Sequence, residues 1–368
     1  MGMKKLVLLF ATMLAVTSLS ACSKNEMYTL KNCGIHCDEE FGGAYIKISI
    51  DKFNSLGFKF GDSVNLTFSN GVEVNDLGYY SGYYVPAGQE LLVGYKGYPE
   101  IKYCINYGED VYTKNEFDPK TKVTITLNEA GKYLNIENTL AISYSDDRNE
   151  YTSDEQFANF RPIAAGNVKD DFIYRGASPV DNSRSRAAIV DNLLEANHIA
   201  YDIDLADKNT EGTKFTIHNY FQSLVNNNKV VFLGMAAAYK AEDFSNKMKT
   251  MFETMLNNNG PYYIHCLEGK DRTGYVCMVI EALCGATYDE LIADYFVTYK
   301  NYYGIEEGSE KYNVIKELHI DEMIRYVFSF QKTTNLLTAN YRSSANDYLL
   351  NIGLSQQQID TLQTKLSK

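Results

Sequence analysis

Between residues 44 and 142 apolar and polar side chains alternate with a period of two. Val64-Asn65-Leu66-Thr67-Phe68 runs in this way into Asn70-Gly71, and Val123, Ile125 and Leu127 alternate with Thr124 and Thr126. Such alternation places every second side chain on one face of a strand, and Asn-Gly supplies the positive φ angles of a tight hairpin turn. Glycines recur where corners are expected (Gly78, Gly82, Gly88, Gly94, Gly97), and no long amphipathic helix interrupts the pattern. A small all-β domain, barrel or sandwich, is predicted over 44–142.

Residues 143–156 include SDDRNEYTSDEQ, with five acids, one base and no aliphatic side chain, and read as a solvated linker. The texture then changes. Ile189, Val190, Leu193 and Leu194 share a helical face, Tyr201 to Leu205 and Val230 to Leu233 are short apolar strands, and Phe244, Met248, Met251, Phe252 and Met255 follow a helical repeat. Strands alternating with helices predict an α/β domain over 157–368, with a central parallel sheet flanked by helices.

At the other end of the chain Lys4 and Lys5 precede an apolar run from Leu6 to Val16, with no acid before residue 22. That is the pattern of an export signal over 1–21. Leu19-Ser20-Ala21-Cys22 resembles a bacterial lipobox, which implies lipidation of Cys22, a tether over 22–43 and anchoring outside the cytoplasm. An oxidising exterior would permit Cys33 and Cys37 to pair across a short loop; with His36 they form an incomplete metal set, since structural zinc takes four ligands. The chain carries 35 Lys and Arg against 47 Asp and Glu, a net charge of −12. This balance argues against a broad nucleic-acid surface but leaves room for a local basic pocket.

The chemistry is concentrated in one stretch. Tyr262-Tyr263-Ile264-His265 reads as a strand, the residues from Tyr275 to Leu283 as a helix capped by Gly285, and Cys266-Leu267-Glu268-Gly269-Lys270-Asp271-Arg272-Thr273-Gly274 lies between them. Successive N–H groups at a helix N-terminus make an oxyanion cradle, and the same field favours a thiolate, the form of sulfur that attacks. The planar fork of Arg272 suits two phosphate oxygens. Cys277 and Cys284 lie on the apolar helix and read as core residues.

HCLEGKDRTG resembles the HCxxGxxR(S/T) signature of cysteine-dependent tyrosine and dual-specificity protein phosphatases. The likeness continues in Ala158-Asn159-Phe160-Arg161, Ile173-Tyr174-Arg175-Gly176-Ala177-Ser178, Glu290 to Tyr295 and Tyr348 to Ser355, which look like segments of the bacterial branch of that superfamily. It implies that Cys266 is the nucleophile and that Arg272 and the backbone of Leu267, Glu268, Gly269, Lys270 and Asp271 bind phosphate. Thr273 would hydrogen-bond the thiolate and His265 would order the loop. The family commonly keeps its general acid about 30 residues before the Cys within Trp-Pro-Asp, but this chain has no Trp and reads Leu233-Gly234-Met235-Ala236-Ala237-Ala238 there. The Lys-Asp pair resembles a branch, acting on phosphoprotein and phosphoinositide substrates, that places the acid inside the loop, at Asp271. Asp204 is an alternative, as are Glu242 and Asp243, with Asp243 read as the N-cap of the following helix. In the β domain, Phe60-Gly61-Asp62 and residues 87–109 resemble the C-terminal barrel of S-adenosylmethionine hydroxide adenosyltransferases, implying a fold and no activity.

The expected function is phosphomonoester hydrolysis through a phosphocysteine without metal or cofactor, most naturally on phosphotyrosine of proteins. Lys270 motivates an alternative, phosphoinositide or inositol-phosphate hydrolysis, because a second cation suits extra phosphates. A low-turnover, ligand-binding lipoprotein is the reading from a different class.

Overall fold

A computed structural model describes residues 28–368, so the predicted signal and Cys22 lie outside the described residues. The first seven strands are β1 (Thr29–Cys37), β2 (Ala44–Ile46), β3 (Ser63–Phe68), β4 (Glu73–Tyr80), β5 (Glu90–Val93), β6 (Ile101–Ile105) and β7 (Lys122–Glu129). They close into a barrel in the order β1-β2-β6-β5-β4-β3-β7, with β7 returning to β1. Only β4 and β5 run parallel. The Asn70-Gly71 turn joins β3 to β4, with Gly71 at φ +93° and the Asn70 side chain accepting the N–H of Val72. Val64, Leu66, Phe68, Val123 and Ile125 all point into the barrel core.

Three sequence expectations are corrected here. The tether expected over 22–43 contains β1, whose Ile35 is buried and which pairs with both β2 and β7. Its alternation is broken by a register shift between Leu30 and Cys33, which hides the strand from a period-two reading. Cys33 and Cys37 therefore sit four residues apart on one strand, about 13 Å at the usual rise per residue, well beyond disulfide reach. Both thiols are free. His36 points to the opposite face, where its Nε2 lies 2.8 Å from Glu100 and its ring stacks on Tyr45, so the three residues do not converge.

Residues 143–156 are not a solvated linker. Tyr144 stacks on Tyr302, Asp146 pairs with Arg184 and Arg186, and Tyr151 is buried. Of its acids Asp146 neutralises two arginines that come some forty residues later, and Asp154 pairs within the segment with Arg148.

Beyond this strap lie β8 (Arg161–Pro162), β9 (Ile173–Gly176), β10 (Tyr201–Asp204), β11 (Val230–Phe232) and β12 (Tyr262–His265), in the sheet order β11-β10-β12-β9-β8. The first four in that order are mutually parallel, and β8 is antiparallel at the edge. Tyr262 and Ile264 of β12 enter one core with the helices Glu242–Asn257 and Asp271–Leu283, while Tyr263 enters another with Ala187–Ala196 and Asn219–Asn226. Helices thus cover both faces, as strands buried on both sides require. Leu140 of the helix Leu134–Leu140 lies in the larger core, and Tyr84, Tyr107, Ile136 and Ile142 pack against it, so the barrel is docked on this sheet-and-helix unit. Among the described residues no helix is long and apolar enough to cross a membrane.

Candidate active site

The central strand β12 delivers Cys266 at its C-terminal end, and the chain then curls into the helix Asp271–Leu283. Its carbonyls are tied outward. Leu267 O accepts from the N–H of Ser178 at 3.1 Å, Glu268 O from Tyr302 Oη at 2.9 Å and from Asn159 Nδ2, and Gly269 O from Arg175 Nη2 at 3.0 Å. In a trans peptide the N–H opposes the C=O, so the N–H groups of Glu268, Gly269 and Lys270 turn toward the cradle. Those of Asp271, Arg272 and Thr273 belong to the first helical turn, whose first intrahelical bond is Gly274 N–H to Lys270 O. Gly269 is required twice over: its φ is +69°, and a Cβ there would stand 2.3 Å from Gly176 O.

Behind the loop, Arg175 is fully buried and pairs with Asp294, which also receives Arg161 at 3.2 Å. These two arginines hold the Asp294 carboxyl below its usual range against the effect of burial. His265 is buried, with Nε2 3.0 Å from Asp202 Oδ1 and Nδ1 3.3 Å from Cys266 O, so it braces the base of the loop. Burial opposes its protonation, but Asp202 and Asp204 outweigh that and hold the imidazole up at about 10.

Cys266, Arg272, Lys270 and Asp271 line one cavity of about 400 Å³. Cys266 is only 3% exposed, at its floor. The Arg272 guanidinium donates to Met235 O at 2.9 Å, so the acid-free loop after β11 acts as a clamp on this arginine. Thr273 departs from expectation: its hydroxyl is buried and forms no hydrogen bond, so the anticipated bond to the thiolate is not made in this geometry. Lys270 lies 3.9 Å from Asp271 and over the ring of Tyr303.

The three candidate acids are separated by position. Asp271 lines the cavity, and burial, which would raise its pKa, is outweighed by Lys270, His319, Tyr107 and Arg272, so its carboxyl titrates below the usual range. Asp204 is buried at the end of β10, its Oδ1 accepting the N–H groups of Ala206 and Asp207, and burial pushes it up to about 7. It lies beside His265 in the sheet and does not line the cavity. Asp243 is not the N-cap; Ala241 is, and Asp243 sits in the exposed first turn with Glu242, paired to Lys247 at 2.7 Å.

The opposite wall comes from the barrel and was invisible in the sequence. Tyr84, Tyr95, Tyr98 and Tyr107 line the same cavity, and the Tyr107 hydroxyl donates to Asp271 at 2.8 Å. His319, pushed down to about 4 by burial, lines it from the far side. Asn159, Arg175 and Asp294 did leave a signal, since each falls in one of the segments that look like the bacterial phosphatase branch.

A family model described as "Tyrosine phosphatase family" matches residues 155–368. The chain belongs to that family. Two solved structures of a phosphatase core are similar to it. One is the core catalytic domain of the PP-IP phosphatase Siw14 from S. cerevisiae in complex with citrate, with 20% identity, a TM-score of 0.27 and coverage of 46% of this chain and 91% of that one. The other is a Siw14 catalytic core with 18% identity, a TM-score of 0.26 and coverage of 46% and 94%. No curated protein gives a significant match. Within the part that matches the tyrosine phosphatase family, Cys266, Arg272 and Asp271 are gathered on one cavity while Asp204 and Asp243 stand apart from it.

Proposed function

We propose that this tyrosine phosphatase family member hydrolyses phosphomonoesters through a phosphocysteine and that its preferred substrates are phosphotyrosyl proteins. The observation that carries this is Cys266 at the floor of a tyrosine-walled cavity, with Arg272 and the outward-tied loop around it. The thiolate sulfur of Cys266 attacks phosphorus and the bond to the leaving oxygen breaks. Asp271 donates its proton to that oxygen. Water then attacks phosphorus, the P–S bond breaks, Asp271 takes up the proton from water, and inorganic phosphate leaves with the thiolate restored. Loop amides and Arg272 hold the equatorial oxygens throughout. A carboxyl that is ionised at rest acquires its proton as the doubly charged phosphate enters beside it.

A second reading, phosphoinositide or inositol-phosphate hydrolysis, is favoured by the neighbouring open cleft of about 740 Å³, where Lys96 and Arg184 offer cations beyond the catalytic pocket and Lys270 borders both. We further infer that Cys22 is lipidated after removal of 1–21, placing the enzyme on the outer side of a bacterial membrane; fatty-acid labelling that survives Cys22→Ala would refute this.

The discriminating experiment is phosphate release by the full mature chain from phosphotyrosyl and phosphoseryl peptides, phosphoinositides and inositol hexakisphosphate. Phosphotyrosyl peptides are expected to be hydrolysed fastest, without inhibition by chelators, and Cys266→Ser should abolish turnover while retaining binding. Faster release from the inositol compounds selects the second reading. Binding without turnover in the wild type returns the protein to a ligand-binding role.

A further inference from the structure

The barrel reaches into the catalytic cavity at one residue whose placement is over-determined. Tyr107 follows β6, and its hydroxyl donates to Asp271 Oδ1 across 164 residues of sequence. Its ring stacks on Tyr239 at 4.7 Å and 13°, and its carbonyl accepts from Tyr326 Oη at 2.6 Å. The backbone sits at φ +51°, a left-handed conformation unfavourable for a bulky side chain although Gly108 is adjacent. Such a cost persists where surrounding contacts enforce it, and here the contacts converge on one phenol directed at one carboxyl.

We propose that the barrel completes the catalytic site, with Tyr107 as the positioning residue that aims the Asp271 carboxyl at the leaving oxygen. This rests on reading Asp271 as the proton donor. Lys270 and Arg272 face the carboxyl from its own loop, and His319 faces it from the turn Lys316–Ile320. The phenols of Tyr239, Tyr295, Tyr299 and Tyr303 surround it from the neighbouring elements. Tyr107 alone among these phenols is bonded to the carboxyl. Burial and the nearby carboxylate keep its hydroxyl protonated far above the neutral range, so it remains a donor at every working pH. A donor to a carboxylate favours the ionised form. Removing it raises the pH at which Asp271 loses its proton in the substrate complex.

The test is kcat against pH for the full chain carrying Tyr107→Phe, which keeps the ring and its stack, with a phosphotyrosyl peptide and with an activated aryl phosphate. For the peptide, kcat is expected to fall about tenfold and its alkaline limb to move up by about one pH unit. The activated ester should be nearly unaffected. In an Asp271→Asn background Tyr107→Phe should add nothing, and Tyr326→Phe should give a weaker effect of the same form. Equal losses on both esters at every pH, or a full additional loss in the Asp271→Asn background, would overturn the proposal while leaving the donor reading intact. An Asp271→Asn enzyme whose peptide kcat keeps its alkaline limb would overturn the donor reading, and the role of Tyr107 with it.

Discussion

In the proposed reaction the proton for the leaving oxygen can come from the buried Asp204 or the half-buried Asp271, and position decides between them. Asp204 is the one that holds a proton near neutrality, but it lies beside His265 off the cavity, with one oxygen committed to two backbone N–H groups. Asp271 is ionised at rest yet lines the cavity. Proton transfer requires contact at about 3 Å, so reach outranks the resting protonation state. Asp271→Asn is therefore expected to lower kcat by ~10²–10⁴ for a phosphotyrosyl peptide. The loss should be far smaller for an activated aryl phosphate. Asp204→Asn should cost both esters alike, and Asp243→Asn should cost neither, its ion pair being exposed. A leaving-group-dependent loss confined to Asp204→Asn would move the acid there. At this scale the proposed nucleophile and phosphate arginine were legible because they lie within seven consecutive residues and their geometry is local. The proposed acid was legible only as Asp271 among alternatives at Asp204 and Asp243, because what sets Asp271 apart is a cavity wall and a phenol supplied by the barrel.

Elements hold the cradle open by pulling its carbonyls away. Asn159 donates to Glu268 O and Gly269 O and also to Thr298, tying the loop to the helix Tyr288–Tyr303. Asn159→Ala removes one of two donors from Glu268 O and from Gly269 O, which keep Tyr302 and Arg175, and removes the acceptor of Arg161 and Asn301, a loss of several hydrogen bonds at about 1 kcal/mol each. Inorganic phosphate should then inhibit more weakly and kcat/KM should fall about tenfold or more, whereas a variant with unchanged phosphate inhibition would show that Asn159 does not shape the cradle. Gly269→Ala should be more severe, because its Cβ meets backbone that cannot rotate away. Among the elements themselves, the helix Glu242–Asn257 was readable because its five large apolar residues all face one core. By contrast β1 carries a register shift, and the strap at 143–156 is anchored by Asp146 on Arg184 and Arg186. Pairings of that kind depend on contacts far apart in sequence, which a local pattern does not encode.

For the whole molecule, the proposed role of Tyr107 would make the association of barrel and phosphatase unit a catalytic matter as well as a structural one. Interfaces between domains of one chain commonly permit relative motion. Here Leu140 is part of the larger core and Tyr84, Tyr107, Ile136 and Ile142 pack against it, while Tyr326 grips the Tyr107 carbonyl. The barrel also has an enclosed core of its own, so it has the means to melt separately if this docking is weak. The docking contacts predict one cooperative calorimetric transition for the residues 28–368, with van't Hoff and calorimetric enthalpies in agreement. Tyr107→Ala removes the stack on Tyr239 and a large aromatic ring, at a cost of roughly 2 kcal/mol or more concentrated at the junction. That variant should show two transitions, the lower belonging to the unit released first. Because the same substitution deletes the phenol bonded to Asp271, activity toward a phosphotyrosyl peptide should already be low below the first transition, while activity toward an activated aryl phosphate should be lost only when the phosphatase unit itself unfolds. Two transitions in the wild type, with both activities surviving the first, would mean that the barrel is a passenger and that the contact of Tyr107 with Asp271 has no part in turnover.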